Sequence, residues 1–430
     1  MSDRAGDVAA EVGRLFRREH GRLVAILTRH FGARHLPLVE DVVQDALLKA
    51  MQVWPYTGVP DNPSAWLLQA AKNRAIDHTR RAALWQGKQR TLVPLLNDCL
   101  DSSRAGPAVH FEDEIRDSQL RMIFVCCHPA LPREAQVALA LKTLCGFGEN
   151  EIAAAFFESP DAVAKRLVRA RRTLRDLRVP VEMPRAAGLA GRVEAVLQTL
   201  YLLFNEGYKS SAGERLLREE LCAEAIRLGE LLTAHPLGDR GAAHALLALM
   251  HFHSSRLAAR LDDRGNILLL EQQDRAKWDR AAIARGLTAL RASAQGAEVT
   301  RYHLEAGIAA AHALAPTFAA TDWPRILALY DSLVKLDPSP VAALNRVVAF
   351  ARVQGARAAL RELAALPGRS YLERYHLLHA IAGALWEEAG DPAQARAAYR
   401  RALALAPMPA ERTFLQNRIA SRLGRHGAKA

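Results

Sequence analysis

The chain lacks the sequence features of several large classes of protein. Its five cysteines include no pair at CxxC spacing, and an odd count in a large chain favours reduced thiols over a disulfide framework. No apolar run resembles a signal peptide or reaches the length of a membrane span. There is also no glycine-rich phosphate loop and no metal-ligand cluster of standard spacing. These absences predict a soluble, cytoplasmic protein with no bound cofactor or metal.

The positive charge is not concentrated in one segment. A net charge of +12 over 430 residues is compatible with an acidic partner, but both the first 180 residues and the remainder carry part of the excess. Only local clusters of basic residues can therefore indicate where nucleic acid binds. The length allows roughly two to four domains.

The densest basic cluster is the stretch 161–178, which reads DAVAKRLVRARRTLRDLR. Its apolar residues recur at steps of four and three and so predict one buried helical face. These residues are Val163, Leu167, Ala170, Leu174 and Leu177. Ser159 is expected to cap this helix, with Pro160 at its first position.

A short helix over 149–157 and a tight turn come just before this basic helix. That order is typical of a DNA-binding helix-turn-helix. An ordinary helix pair with a solvated basic face explains the stretch equally well, because most basic helices bind no nucleic acid.

Earlier in the chain, two helices are predicted over 8–31 and 37–54. The second exposes Asp41, Gln44 and Asp45 on one ridge. By pattern alone this ridge is an ordinary solvated face.

The loop 55–62 is rich in turn residues, and a third helix follows it with Asn62 as the predicted cap. A polar and aromatic face recurs along this third helix at steps of three and four. It consists of Trp66, Gln69, Asn73, Asp77 and Arg80. Such a face is suited to stacking on bases and bonding to base edges and phosphates. The alternative is a polar surface helix with one partly buried tryptophan.

The segment 82–112 has little periodicity and predicts a linker. Cys126, Cys127 and His128 could suggest a metal site, but adjacent helical side chains point about 100° apart, so buried structural thiols are the better interpretation. After a second linker at 179–184 the chain is predicted to be helical to its end. The segment YLLFNEGY (201–208) is interpreted as packing, with Asn205 and Glu206 bonding at a helix end and Gly207 stopping the helix. The alternative is a binding motif.

Near the C-terminus the spacing of small, aromatic and proline residues matches a tetratricopeptide unit. The residues that carry this spacing are Gly383, Trp386, Ala395, Tyr399, Ala402 and Pro407. An earlier, partial copy has Tyr330, Leu333 and Pro338. The repeats predict stacked helix pairs with a surface that could bind a partner.

Three stretches together resemble a group 4 sigma factor of the extracytoplasmic-function type. They are VEDVVQDALLKAMQVWP (39–55), NPSAWLLQAAKNRAIDHTRR (62–81) and LPREAQVALALKTLCGFGENEIAAAFFESPDAVAKRLVRARRTLR (131–175). The C-terminal part resembles a subfamily with a tetratricopeptide-like extension. The resemblance implies an all-α protein divided into region 2 (8–82), a flexible linker (83–112), region 4 (113–178) and the extension (186–430).

The resemblance also implies roles for particular residues. Asp41, Gln44 and Asp45 match the segment that docks on the clamp helices of the largest subunit of core RNA polymerase, and region 4 would meet the flap of the second subunit. Asp61 and Asn62 match the loop that holds a flipped −10 base. The face of the third helix, with Trp66, Gln69, Asn73, Asp77 and Arg80, matches the part that meets the −10 element and the melted non-template strand. The exposed cations of the basic helix match the −35 reader; they are Lys165, Arg166, Arg169 and Arg172.

Such a factor would not be an enzyme, because the polymerase supplies the chemistry. The extension would regulate it, with a regulatory protein as one expected partner. The alternative is a one-component helix-turn-helix transcription factor whose repeats sense a ligand or protein. The segment 39–81 argues against this alternative, because a simple repressor needs no melting helix.

Overall fold

The computed structural model describes residues 19–86, 118–156, 158–182, 189–210, 216–236, 240–295 and 298–420; at 79–86 and 189–191 it describes the backbone only. Helices cover most of these ranges and no β-strand forms within them. A single antiparallel bridge joins Leu261 and Ile267. The predicted all-α fold class is confirmed.

Contacts divide the chain into two compact units, of which the first comprises residues 1–203 and 223–237. Two of its helices span, within the described residues, 19–31 (α1) and 118–126 (α4). The others are α2 (Leu36–Thr57), α3 (Pro63–Gln86), α5 (Arg133–Cys145), α6 (Glu149–Phe156), α7 (Pro160–Asp176), α8 (Leu189–Tyr208) and α9 (Glu219–Ala234).

Helices α2 and α3 pack against each other through the apolar faces that the sequence predicts. Val39, Val43 and Leu47 are buried on α2, and Leu67 and Ala71 are buried on α3. The prediction of the α3 start is confirmed, because the Asn62 side chain accepts a hydrogen bond from the Ala65 backbone N–H at 3.0 Å. This cap satisfies a donor that would otherwise lack a helical partner.

Helix α3 continues to Gln86, so the linker predicted from residue 83 begins later than expected. Residues 87–117, which include the rest of that linker, lie outside the described part of the chain.

The short helix and the basic helix predicted within 149–178 are present as α6 and α7, and their assignment as a helix-turn-helix stays a prediction. The Ser159 side chain caps α7 by accepting from the Ala162 N–H at 3.3 Å, and Pro160 opens the helix. Helix α7 packs against α5 and α6 through Val163, Leu167, Ala170 and Leu174. Leu177 was expected on this buried face and is instead 53% exposed, because α7 ends at Asp176 and the chain turns away.

The second unit comprises residues 204–222 and 238–430. It begins at the end of α8 and includes the first turn of α9. Its other helices are α10 (Gly241–Ser254), α11 (Arg280–Ser293), α12 (Arg301–Leu314), α13 (Trp323–Leu336), α14 (Pro340–Gln354), α15 (Ala356–Ala364), α16 (Arg369–Leu372), α17 (His376–Glu388), α18 (Pro392–Leu405) and α19 (Pro409–Ala420). Helices α10 to α15 and α17 to α19 pack mainly against their neighbours in chain order.

Several small apolar cores lie along the described part of this unit. One surrounds Ile326 and Leu333, a second surrounds Val347 and Leu363, and a third surrounds Tyr399. Stacked helix pairs that contact only their neighbours produce such serial cores. In the last pair, a Cβ on Gly383 would lie 2.7 Å from the Tyr399 ring, so a small residue is needed there for α17 and α18 to meet.

The prediction that Gly207 stops a helix is wrong. Gly207 lies inside α8, which ends at Tyr208. A Cβ there would come within 2.7 Å of the Cys222 backbone nitrogen, so the glycine permits α9 to approach. The packing interpretation of this segment is supported by Glu206, which is buried and accepts a hydrogen bond from the Ser210 hydroxyl at 3.0 Å.

Candidate nucleic-acid interface

One long face of α2 is exposed and mixes acidic, amide and apolar side chains. Asp41, Gln44 and Asp45 are all exposed, as their spacing predicts. The same face continues along the helix with Leu48 at 56% and Met51 at 47% exposure. Exposed large apolar side chains next to polar ones are typical of a surface that binds another protein. We call these five residues the α2 ridge.

Asp45 is the ridge residue with an ion-pair partner. Its carboxylate lies 2.9 Å from Arg74 Nε on α3, and both side chains are about half exposed. Exposed pairs of this kind contribute about 0–1 kcal/mol to stability. Asp45 can therefore exchange Arg74 for another cationic partner at little cost.

Beside the α2 ridge, the buried Glu40 connects α2 to α7 and α5. Its carboxylate lies 2.7 Å from Arg171 Nη2 on α7 and accepts a hydrogen bond from the Thr143 hydroxyl on α5 at 2.9 Å. Burial raises the pKa of Glu40, although Arg171 and Thr143 act in the opposite direction.

The cleft next to this pair is lined by side chains from both segments, including Asp41, Gln44, Lys142 and Phe147. Helices α1 and α5 also meet closely, because a Cβ on Gly21 would overlap the Leu144 carbonyl oxygen. In this structure the helix that bears the α2 ridge therefore packs beside α5 and α7.

The loop after α2 and the face of α3 form a second exposed surface. Asp61 and Asn62 are exposed in the loop, and Tyr56 at the end of α2 is 86% exposed. On α3, Gln69, Asn73 and Asp77 are exposed. The Gln69 side-chain amide donates to Asn73 Oδ1 at 2.9 Å, which orients both amides on the same side of the helix.

Trp66 lies at the start of the same α3 face and is partly buried. Its ring meets the fully buried Trp54 ring edge-to-face, with centroids 5.4 Å apart. An edge-to-face pair leaves a ring surface for another contact and holds the ring in place. The side chain of Arg80 lies outside the described ones.

The four predicted cations of α7 differ in their surroundings. Lys165, Arg169 and Arg172 are exposed, whereas Arg166 is mostly covered. The Arg166 guanidinium lies 2.8 Å from the Glu158 carboxylate and 5.8 Å from the centre of the Phe156 ring. Arg166 therefore holds the turn between α6 and α7, and the other three cations form the exposed basic surface.

Four residues of this region are not predicted in the sequence analysis. Leu48 and Met51 continue the α2 ridge, and their helical spacing from Asp41 could have revealed them. Glu40 and Arg171 had no comparable signal, because each looks like an ordinary surface charge and only the packing of α2 on α7 brings them together.

The adjacent cysteines are buried, as predicted. Burial raises the pKa of Cys127 to about 12 and also raises the pKa of Cys126 and Cys145. Protonated, buried thiols are poor metal ligands. Among the described residues, no group of three or more histidine, cysteine or carboxylate side chains is arranged to hold a metal ion. Within the same ranges, no helix is both long and apolar enough to cross a membrane.

Two family models match the chain. Residues 15–84 match Sigma-70 region 2, which covers α1, α2 and most of α3. Residues 192–294 match a family of unknown function, DUF6596. An uncharacterised protein of Rhizobium meliloti (strain 1021) is 38% identical over 400 residues, with 91% of each chain covered. No solved structure matches.

The chain belongs to the same family as the Rhizobium meliloti protein, and its N-terminal part is a Sigma-70 region 2 domain, which supports its assignment to the sigma-70 family. Such a domain supports binding to core RNA polymerase and promoter DNA in transcription initiation. Factors of the sigma-70 family are not enzymes.

Proposed function

We propose that this chain is an extracytoplasmic-function sigma factor with a regulatory C-terminal extension. It would contain region 2 (8–82), region 4 (113–178) and an extension of tetratricopeptide-like pairs (186–430), with a linker between the first two. The observation that carries the proposal is the exposed α3 face within the Sigma-70 region 2 match. Exposed amides fixed beside a held tryptophan are suited to bind bases.

In this proposal the α2 ridge docks on the clamp helices of the largest polymerase subunit. Its acidic members would meet cationic residues there, while Leu48 and Met51 supply apolar contact at the centre. The resemblance names Asp41, Gln44 and Asp45 for this role, and the exposed apolar pair extends it.

Promoter reading would be shared between two surfaces. Asp61 and Asn62 would hold a flipped −10 base, and the α3 face would stack on and bond the melted non-template strand. Lys165, Arg169 and Arg172 would contact the −35 element. Arg166 would support this surface by holding the turn between α6 and α7.

Run-off transcription with core polymerase tests the −10 assignment. The double variant Gln69→Ala and Asn73→Ala should lower the run-off product about tenfold or more, since each base contact contributes about 1–3 kcal/mol. The matched control, Gln416→Ala with Asn417→Ala, removes two exposed amides from α19. Equal activity of the two double variants would reject the assignment.

Core binding tests the docking surface separately. Asp45→Lys should weaken binding of the full-length chain to core polymerase, because it reverses a charge on the α2 ridge. Glu182→Lys makes the same charge change at an exposed residue after α7 and should leave binding unchanged. Unaltered binding by Asp45→Lys would remove this residue from the docking surface.

The second candidate function is a one-component transcription factor. The exposed cations of α7, which follows the short helix α6, favour this candidate, and tight binding of the chain alone to a specific duplex would support it. Promoter binding that requires core polymerase would support the sigma factor instead.

A further inference from the structure

Two arginines in the second unit, Arg256 and Arg260, contact Tyr208 at the end of α8, and a third, Arg275, contacts the end of α12. The Arg260 guanidinium lies 3.8 Å from the centre of the Tyr208 ring and donates to the Tyr208 carbonyl oxygen. Arg256 Nε donates to the Tyr208 hydroxyl at 2.6 Å. Arg275 Nη1 donates to the carbonyl oxygens of His312 and Ala315, both at 2.7 Å.

These contacts fix the three guanidinium groups through neutral partners only. No carboxylate among the described residues pairs with Arg256, Arg260 or Arg275, although the second unit contains many arginine–carboxylate pairs elsewhere. All three side chains are partly buried. Burying several positive charges without a counter-charge costs free energy of desolvation. A negatively charged ligand would supply that counter-charge.

The positive charges of these arginines also act on the pKa values of two neighbouring histidines. Burial and then the charges of Arg256 and Arg260 lower the pKa of His253 to about 3. Burial and then Arg256 and Arg275 lower the pKa of His312 to about 4. Both imidazoles are therefore neutral near pH 7, and the three arginines carry the positive charge of the cluster.

Two buried polar atoms at this cluster have no hydrogen-bond partner. They are Nη2 of Arg275 and Nδ1 of His312. Buried polar atoms usually form a hydrogen bond in folded proteins, and these two atoms are therefore able to bond to a ligand that binds beside the arginines. Of each guanidinium's five N–H donors, only one or two are used by the contacts described.

We propose that Arg256, Arg260 and Arg275 form a binding site for a small oxyanion ligand that carries at least two negative charges. Phosphate and paired carboxylate groups share the geometry that a guanidinium fork recognises. Tyr208, whose ring lies 5.0 Å from the His253 ring, contacts two of the arginines and holds them in place. Most of the site lies in the segment of unknown function, 192–294, and the proposal does not depend on the role in transcription.

A binding measurement on the full-length chain tests this site. Pyrophosphate and malonate are each titrated at constant ionic strength with chloride as the reference, and binding is followed by calorimetry and by the unfolding temperature of the chain. We expect saturable binding of at least one probe, with the unfolding temperature rising as the site fills. Tighter binding of pyrophosphate would indicate a phosphate-bearing ligand. Tighter binding of malonate would indicate a dicarboxylate ligand.

Two variants tie the binding to this cluster. Arg256→Gln and Arg260→Gln should each weaken binding about tenfold or more, while circular dichroism and the unfolding temperature in chloride confirm that they fold. Arg400→Gln removes an exposed arginine from α18 and should bind like the unmodified chain. Absence of saturable binding to both probes, or equal binding by all three variants, would overturn the proposal.

Discussion

Arg171 on α7 and Glu40 on α2 form an ion pair of 2.7 Å, with only 19% and 11% of their side chains exposed. The two residues lie on different segments, the candidate −35 reader and the candidate docking helix. Their pairing leaves the neighbouring Arg172 exposed, although both belong to the same basic run.

The Arg171–Glu40 pair predicts unequal effects of two adjacent substitutions. Arg171→Ala should lower the free energy of unfolding by about 2–4 kcal/mol, because it leaves Glu40 buried without its counter-charge. Arg172→Ala removes an exposed arginine 3.6 Å from Asp176 and should cost less than about 1 kcal/mol. Urea denaturation of both variants checks the difference, and equal costs would show that the buried pair does not form in solution.

The exposed basic surface predicts the salt dependence of promoter binding. Arg169→Ala in the complex with core polymerase should reduce the slope of log affinity against log salt by about one, because one phosphate contact is lost. Arg166→Ala should change this slope less and the stability more, since Arg166 is paired with Glu158. A larger reduction of the slope by Arg166→Ala than by Arg169→Ala would show that Arg166 contacts the DNA.

Glu411 predicts a loss of stability in acid. Burial acts to raise its pKa, but hydrogen bonds from His376 at 3.0 Å and Lys209 at 2.8 Å, with the Lys209 charge, lower it from 4.5 to about 2. A lowered pKa stabilises the folded chain above pH 4.5 and ceases to do so as the pH falls towards 2.

The expected contribution of Glu411 is about 1–3 kcal/mol after allowance for solvent screening. Unfolding curves between pH 6 and pH 2.5 should therefore fall less steeply for Glu411→Gln than for the unmodified chain. Glu388→Gln, which changes a more exposed pair with Arg352, serves as the control. Parallel pH curves for Glu411→Gln and the unmodified chain would contradict the assignment.

The close approach of Gly207 to the Cys222 backbone predicts that a larger side chain at position 207 destabilises the fold. Gly207→Ala should destabilise the chain by about 1–3 kcal/mol, because the new methyl group would press on the Cys222 backbone. Gly307→Ala in α12 would meet only the flexible end of Leu329, at 3.3 Å. Its cost should stay below about 1 kcal/mol, since alanine also favours the helix. Thermal unfolding compares the two, and a harmless Gly207→Ala would show that α9 can move away.

The parts of this fold that local chemistry determines could be predicted from the sequence. Ser159 and Asn62 cap helices where predicted, because a cap depends on a few neighbouring residues. The apolar faces of α2, α3 and α7 follow from helical periodicity. The role of Gly207 could not be predicted in this way, because it depends on the packing of α9, a helix that begins at Glu219 and is not a local neighbour of Gly207.

The candidate site could be predicted only in part. Exposure of Asp41, Gln44 and Asp45 follows from spacing, whereas their roles at the polymerase stay predictions. Arg166 belongs to the same basic run as Arg169, and only the position of Glu158 distinguishes the two. The arginine cluster brings Tyr208 together with arginines that lie 48 or more positions further along the chain, so no local pattern could indicate this contact.

The burial of Glu40 between α2 and α7 also has a thermodynamic consequence. A partner that can bind the α2 ridge only after this pair opens must supply the free energy of opening, which lowers its apparent affinity. A second partner that binds α7 and opens the Arg171–Glu40 pair would remove this cost for the partner that binds the α2 ridge. The coupling is reciprocal: each partner would strengthen the binding of the other by the same factor.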